Sequence, residues 1–326
     1  MIFVTGGTGF LGRHLLTQLL AEGHSLRVLT RDIQAPHLKK HPQIEYVQGD
    51  VRDASRIVPL VEGCDMIIHA AGLFKMWGDE ELFLETNVVG TQNLIDAALK
   101  FKIKRFIYIS TIAIIGTPPD SGIIDESYPP SPADPYQKSK LIAEQRLLKA
   151  VAENGLAALI LRPGAFYGPY GEYAFNRLFF QDPLRGIIMQ MDGGKYIIFP
   201  AYIEGVASAI VSALDKGGVG EIYHICDDWI RHDDAFDIVC EEAQIRRIRL
   251  NIPKFLGLGF SYFLEAISKL TRQEPFYPLN LRSYVFNYWR VSNEKARRDL
   301  GFQPTPFREG AKKTIDWYRS GMNEDE

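Results

Sequence analysis

A glycine-rich loop within the first dozen residues constrains this chain more than any other feature. The loop Thr5-Gly6-Gly7-Thr8-Gly9-Phe10-Leu11-Gly12 follows a short apolar run, Ile2-Phe3-Val4, and precedes leucines 15, 16, 19 and 20, which recur at helical spacing. A strand, a glycine turn and a helix in that order form a cradle for phosphate. Gly6 permits the tight turn, Gly9 lets the backbone approach a pyrophosphate, and Gly12 lets the helix pack closely on the strand. The helix N-terminus adds free N–H groups and partial positive charge. The loop therefore points to a bound dinucleotide, with Gly6, Thr8, Gly9, Phe10, Leu11 and Gly12 as its first contacts.

The rest of the first half alternates strand and helix. Strands are expected at Ile2–Thr5, Leu26–Thr30, Ile44–Val47, Met66–Ala70, Arg105–Ser110 and Ala158–Arg162. Helices are expected from Arg13 to Glu22, from an Asp53 cap to Gly63, from about Glu80 to Lys100, and from Asp134 to Gly155. This rhythm predicts an α/β fold, a doubly wound Rossmann-type parallel sheet with helices on both faces. After Pro163 prolines, glycines and aromatics become dense. Residues 1–163 read as the dinucleotide-binding core. Residues 164–326 read as a smaller, mostly helical substrate lobe with segments returning to the sheet, including a strand at Glu221–Cys226. The chain is expected to close with a helix through Lys312–Arg319 and a disordered polar tail, Asn323–Glu326.

Charge and cysteine content narrow the function classes. With 37 basic and 40 acidic residues the net charge is -3, without the basic stripe of a nucleic-acid partner. Cys64, Cys226 and Cys240 are scattered and read as free thiols in a reducing cytoplasm. The first strand begins at once, so no leader is expected. The histidines show no metal-binding spacing, so no metal is expected, and His69 reads as a structural group inside a strand. The apolar stretch Ile252–Leu270 is interrupted by Lys254, Glu265 and Lys269 and falls short of a membrane span. It reads as an amphipathic helix covering a substrate pocket, with membrane-surface contact as the lesser alternative.

Two further groups carry chemistry. Tyr136 and Lys140 lie four apart on a helix and share a face. A neighbouring ammonium favours a phenolate, which would bring the Tyr136 phenol into range as a proton donor or acceptor. Ser110 and Thr111 stand at the carboxyl end of a strand, where open α/β sheets bind ligands. Cofactor choice rests on the end of the second strand. Arg31 suits the 2′-phosphate of NADP, whereas Asp32 would read the ribose hydroxyls of NAD; NADP is expected, with NAD possible.

Together these motifs resemble the extended short-chain dehydrogenase/reductase family, including its NAD-dependent epimerase/dehydratase, dihydroflavonol-reductase and 3β-hydroxysteroid-dehydrogenase branches. The resemblance also covers Gly49-Asp50-Val51, His69-Ala70-Ala71-Gly72, Asn87–Leu94, Tyr108-Ile109-Ser110-Thr111 with Gly116, Arg162-Pro163-Gly164, Tyr167-Gly168-Pro169, Ser292–Ala296 and Leu300-Gly301-Phe302. It implies Tyr136 as general acid/base, Lys140 as its partner and Thr111 as donor to the substrate oxygen, with Ser110 the other candidate hydroxyl. It implies Asn87 as support for the cofactor site. Asp50, Val51, Ala70, Ala71, Gly72, Asn87, Ser110, Tyr136, Lys140 and Pro163 join Arg31 and the glycine loop as cofactor contacts.

Within such a family the expected reaction is hydride exchange with a secondary alcohol or ketone. The aromatic lobe (Phe175, Phe179, Phe180 and residues 255–263) suits a small to medium hydrophobic substrate. Nucleotide-sugar epimerisation is the alternative; Lys195, Arg177, Arg185 and Arg282 are the cations it would draw on, and the stretch Leu73–Gly78 resembles some epimerases. A non-catalytic dinucleotide sensor is a third class, disfavoured by the presence of both Tyr136 and Lys140. The resemblance further implies a homodimer built through the two long helices.

Overall fold

The computed structural model describes residues 1–116, 122–186, 188–246, 248–271, 273–275 and 277–322; the tail Asn323–Glu326 lies outside the described residues. Seven strands form the central sheet: β1 (Ile2–Thr5), β2 (Leu26–Thr30), β3 (Ile44–Gln48), β4 (Met66–His69), β5 (Arg105–Ile109), β6 (Ala158–Pro163) and β7 (Ile222–Ile225). Their order is β7-β6-β5-β4-β1-β2-β3, and every neighbouring pair is parallel. The winding reverses between β1 and β4. Sheets of this kind open a crevice at that switch point, outside the carboxyl ends of the strands.

Successive side chains of a strand point to opposite faces, and both faces here are covered. Ile2, Val4, Ile107, Leu159 and Leu161 face one core with Leu15, Leu16 and Leu19 of α1 (Phe10–Ala21). Phe3, Phe106, Tyr108, Ala158 and Ile160 face the other. That second core is closed by Leu94 and Ala98 of α2 (Gly90–Lys100) and by Ala143 and Leu147 of α3 (Pro135–Asn154). The first core also takes Val206 and Ile210 of α4 (Ile203–Ser212), which follows the sheet strand β6 in sequence.

Two boundaries differ from the sequence pattern for physical reasons. Helix α1 begins at Phe10, three residues before its apolar periodicity. Its first turn is set by glycine packing rather than by side chains: a Cβ on Gly12 would stand 2.3 Å from the Gly6 carbonyl oxygen. The helix expected over Glu80–Lys100 is interrupted by a π-helical turn, Leu84–Val89. Such wider turns accompany functional sites, and this one carries Asn87.

The C-terminal lobe has its own core, in which Tyr167, Phe180 and Tyr202 meet Phe236 of α5 (His232–Ala243) and Phe307 and Ile315 of α7 (Phe307–Met322). Helix α6 (Lys254–Thr271) lies outside that core. Phe255, Phe263 and Leu270 on it are 72%, 60% and 86% exposed. The expectation that this segment covers the pocket is therefore corrected: the wall it was assigned is built by Leu281, Tyr284 and Val285 instead. No described helix is long and apolar enough to cross a membrane.

Helix α3 is fixed at both ends and in the middle. Asp134 caps it by accepting from the Gln137 N–H at 2.8 Å, Pro135 fills the first turn, and Gly155 closes it in the left-handed region at φ +69°. Midway, Arg162 of β6 donates two hydrogen bonds to Glu144, at 3.0 and 2.7 Å, with both side chains under 5% exposed. Removing one partner of such a pair leaves a buried charge without compensation. Glu144→Ala is accordingly expected to lower the unfolding free energy by about 3–5 kcal/mol in urea titrations, and a loss below about 1 kcal/mol would contradict this account of how the helix is anchored.

Candidate active site

A cleft of about 970 Å³ runs along the carboxyl ends of β1, β4, β5 and β6 and onto the C-terminal lobe. At its mouth Gly6 sits at φ +74°, and a Cβ there would lie 2.6 Å from Ala70 carbon. Gly9 precedes α1 without any side-chain cap. The first N–H groups of the helix therefore have neither an intrahelical partner nor a capping side chain. Gly6, Thr8, Gly9, Phe10 and Leu11 line the cleft here. Such a cradle fits a pyrophosphate. Gly12 stands behind the loop and acts through packing.

Arg31 lines the next stretch of wall with Asp50, Val51 and Arg52. Arg52 grips Asp50 in a two-pronged ion pair, Nε to Oδ1 at 3.0 Å and Nη2 to Oδ2 at 2.8 Å. These bonds, with further help from Arg31, hold the Asp50 carboxyl below its ordinary range. Asp32 does not line the cleft. Its Oδ1 instead accepts from the Gln34 N–H at 2.8 Å, and its own N–H donates to Thr30 Oγ1.

Beyond the phosphate cradle, Ala70, Ala71, Gly72 and Pro163 floor the cleft, and Ser110, Thr111, Tyr136 and Lys140 converge on it. Ser110 Oγ is buried and has no hydrogen-bond partner. Thr111 caps a short 3-10 turn by accepting from the Ala113 N–H at 3.1 Å. That bond leaves the Thr111 hydroxyl proton free to donate. Gly116, at φ +79°, closes the turn where a Cβ would meet the Ser131 carbonyl oxygen at 1.6 Å.

Tyr136 presents its ring to Phe74 at 4.9 Å and Phe83 at 6.5 Å, both edge-on. Lys140 Nζ donates to the Ile109 carbonyl at 2.6 Å and lies over the Tyr108 ring at 4.2 Å. The sequence-based expectation that the ammonium lowers the phenol needs correction for this state of the protein. Burial dominates both groups: it raises the Tyr136 phenol, against a smaller opposing effect of Thr111, and draws Lys140 down to about 7. Burial therefore holds Tyr136 as a protonated phenol.

Asn87 does not line the cleft. It works from behind, accepting from the Leu73 N–H at 2.7 Å and donating to the Leu73 carbonyl at 3.1 Å and to Ser139 Oγ at 2.9 Å. Ser139 in turn donates to the Tyr136 carbonyl at 2.7 Å. Asn87 thus ties the Gly72–Met76 segment to the start of α3. From the other side Asn280 donates to the Met76 carbonyl, and the Met76 N–H donates to Tyr173, whose hydroxyl also bonds Glu274. His69 is held between Thr5 and Thr91, at 2.7 and 2.9 Å, and burial lowers it to about 3, so it is a neutral structural link.

The cleft also takes in Arg52, Thr86, Tyr173, His232 and Tyr284, which sequence reasoning did not single out. Arg52 had a signal in its place two residues after Asp50. Thr86 directly precedes the Asn87–Leu94 motif, while Tyr173, His232 and Tyr284 lie outside the motifs and only folding brings them here. Conversely, Arg177, Arg185, Arg282 and Lys195 stay off the cleft wall. Lys195 pairs with Asp192 at 3.4 Å and Arg177 with Asp182 at 3.8 Å. Phe180 and the aromatics of α6 are likewise absent from the wall, whereas Phe175 and Phe179 belong to it.

Comparison with known proteins gives this arrangement a context. The model of the NAD dependent epimerase/dehydratase family matches residues 2–226. The chain is 28% identical over 307 residues to a 4-hydroxy-2-methyl-3-oxo-4-farnesyl-3,4-dihydroquinoline-1-oxide ketoreductase of Stigmatella aurantiaca, across 92% of this chain and 91% of that protein. It is 29% identical over 326 residues to a 3 beta-hydroxysteroid dehydrogenase/Delta 5→4-isomerase of Mycobacterium tuberculosis, across 93% of this chain and 86% of that protein. A dTDP-glucose 4,6-dehydratase of Streptomyces venezuelae, solved with NAD bound, has a TM-score of 0.80 at 25% identity, covering 99% of this chain and 98% of its own. Proteins named as a reductase, a dehydrogenase and a dehydratase are thus similar to this chain over nearly its whole length. The chain belongs to the NAD dependent epimerase/dehydratase family.

Proposed function

We propose that this chain is an NADP-dependent oxidoreductase that interconverts a secondary alcohol and a ketone on a small to medium hydrophobic substrate, with Tyr136 as general acid/base. The observation that carries the reading is the composition of the substrate end of the cleft. Phe74, Met76, Phe175, Phe179, Ile198 and Leu281 line it, and Lys75 is the one cation on that stretch of wall among the described residues. A nucleotide sugar brings a diphosphate that needs charge-assisted hydrogen bonds, and the arginines proposed for that task stand elsewhere. Two of the relatives carry names of the proposed chemistry, a ketoreductase and a hydroxysteroid dehydrogenase.

The cofactor, when bound, supplies or accepts hydride. The glycine loop and the uncapped start of α1 fit its pyrophosphate. Arg31 and Arg52, flanking Asp50, fit a 2′-phosphate better than a free ribose hydroxyl. At the reacting carbon, Thr111 and Ser110 offer hydroxyl protons to the substrate oxygen. Tyr136 gives its proton to that oxygen in the reductive direction, becoming a phenolate, and the phenolate takes the proton back in the oxidative direction. Lys140, anchored on the Ile109 carbonyl and drawn toward neutrality by burial, would in its protonated form favour the ionised phenol as the proton leaves. Asn87 and Ser139 act through position, fixing the Tyr136 backbone.

Three outcomes are expected. Tyr136→Phe lowers kcat for ketone reduction by about 10²–10⁴-fold while NADPH still binds, as read by cofactor fluorescence; turnover surviving intact would remove Tyr136 from its role. Arg31→Ser raises KM for NADPH at least about tenfold and leaves KM for NADH nearly unchanged, the loss of one charge-assisted hydrogen bond; a wild-type preference for NADH would overturn the NADP assignment. The chain forms a homodimer through α2 and α3, and sedimentation at micromolar concentration showing only monomer would reject that assembly.

A further inference from the structure

The wall of the cleft contributed by the C-terminal lobe holds a polar group for which the proposed hydride and proton steps have no use. His232 is the first residue of α5 and is 5% exposed. Its backbone N–H donates to the Tyr196 carbonyl at 2.9 Å, which fixes the start of the helix. Its ring packs edge-on against Phe179 at 5.5 Å and Tyr196 at 6.3 Å. The side chain lines the cleft beside Phe175, Phe179 and Ile198, yet its Nε2 atom is buried and has no hydrogen-bond partner.

A buried polar atom without a partner is uncommon, and one on the wall of a ligand cleft is satisfied most simply by a ligand. The surroundings narrow which ligand. Burial lowers the imidazole to about 4, against an opposing effect of Asp233, so the ring is neutral at ordinary pH. A neutral Nε2 either donates or accepts, according to tautomer. The neighbouring aromatic and aliphatic groups disfavour a charged partner. A hydroxyl or keto oxygen meets every condition; a carboxylate or phosphate does not.

Resting on the oxidoreductase reading above, we propose that the substrate carries a second, uncharged oxygen function away from the reacting carbon, and that His232 Nε2 hydrogen-bonds it. His232 is then a specificity residue. It selects among apolar ketones without touching the atoms that react.

The test uses the protein with NADPH for turnover and with NADP for binding, and a matched pair of probes: a decalone, and the same decalone with a hydroxyl on the ring remote from the ketone. Wild type is expected to favour the hydroxylated probe at least about tenfold in kcat/KM. His232→Phe is expected to abolish that preference through KM rather than kcat, and His232→Gln to restore part of it. Calorimetric binding of both probes is measured in parallel, so that the subsite is read even without turnover. Tenfold tighter binding of the hydroxylated probe, lost in His232→Phe, supports the subsite whether or not either probe is reduced. Equal binding of the two probes by wild type, or a preference that survives in His232→Phe, overturns the proposal. Should His232→Phe fail to fold by circular dichroism, His232→Gln and His232→Asn carry the same comparison.

Discussion

The close approach of backbone to backbone at the glycine loop is the constraint on which the rest depends. Gly12 lies against Gly6 and Gly7, and Gly6 lies against Ala70 at the end of β4. Any side chain at Gly6 or Gly12 would push α1, β1 and β4 apart. Those three elements meet where the winding of the sheet reverses, so the same contacts that permit the packing also open the crevice. The uncapped helix N-terminus is left pointing into it. Binding site and fold are thus products of one set of contacts, at the price of two positions, Gly6 and Gly12, with no room for a Cβ.

Burial, more than charge pairing, sets the chemical state of the groups in the cleft. Tyr136 and Lys140 are both pushed toward their neutral forms. His69 and His232 are neutral for the same reason. A site of this kind holds little free charge at its reacting end, and its hydroxyls and phenol respond strongly to charge that develops there. An ion-paired cluster lies at the opposite end, on Arg31, Arg52 and Asp50, while Lys75 and Glu172 are single charges on the wall beyond it. The polarity of the cleft therefore runs from ionic at the nucleotide end to apolar at the substrate end. This gradient supports a phosphorylated cofactor with a hydrophobic partner.

Much of this was legible in the sequence because it rests on short-range rules. Glycines 6, 9 and 12, the alternating strands and the Asp134-Pro135 helix start each encode local geometry, and the structure follows them closely. Tyr136 and Lys140 share a helix face, so their convergence on Ser110 and Thr111 needed only the order of the strands. What escaped depends on contacts far apart in the chain. His232 and Tyr284 reach the cleft from separate segments of the second half. The apolar helix Lys254–Thr271 looked like a pocket cover because its composition is that of a core element, but composition does not say which surface it meets. The electrostatic reading of Tyr136 failed for a related reason: the spacing showed the cation, while the burial that outweighs it belongs to the whole fold.

Net cofactor consumption tests the central claim most directly. The chain is incubated with NADPH and a panel of hydrophobic ketones, and in parallel with NADP or NAD and UDP-sugars. The account predicts one NADPH oxidised for each carbonyl reduced on at least one ketone, with no change in the UDP-sugars. Inversion of a UDP-sugar without net cofactor consumption, together with inert ketones, would contradict it and assign the cleft to epimerisation.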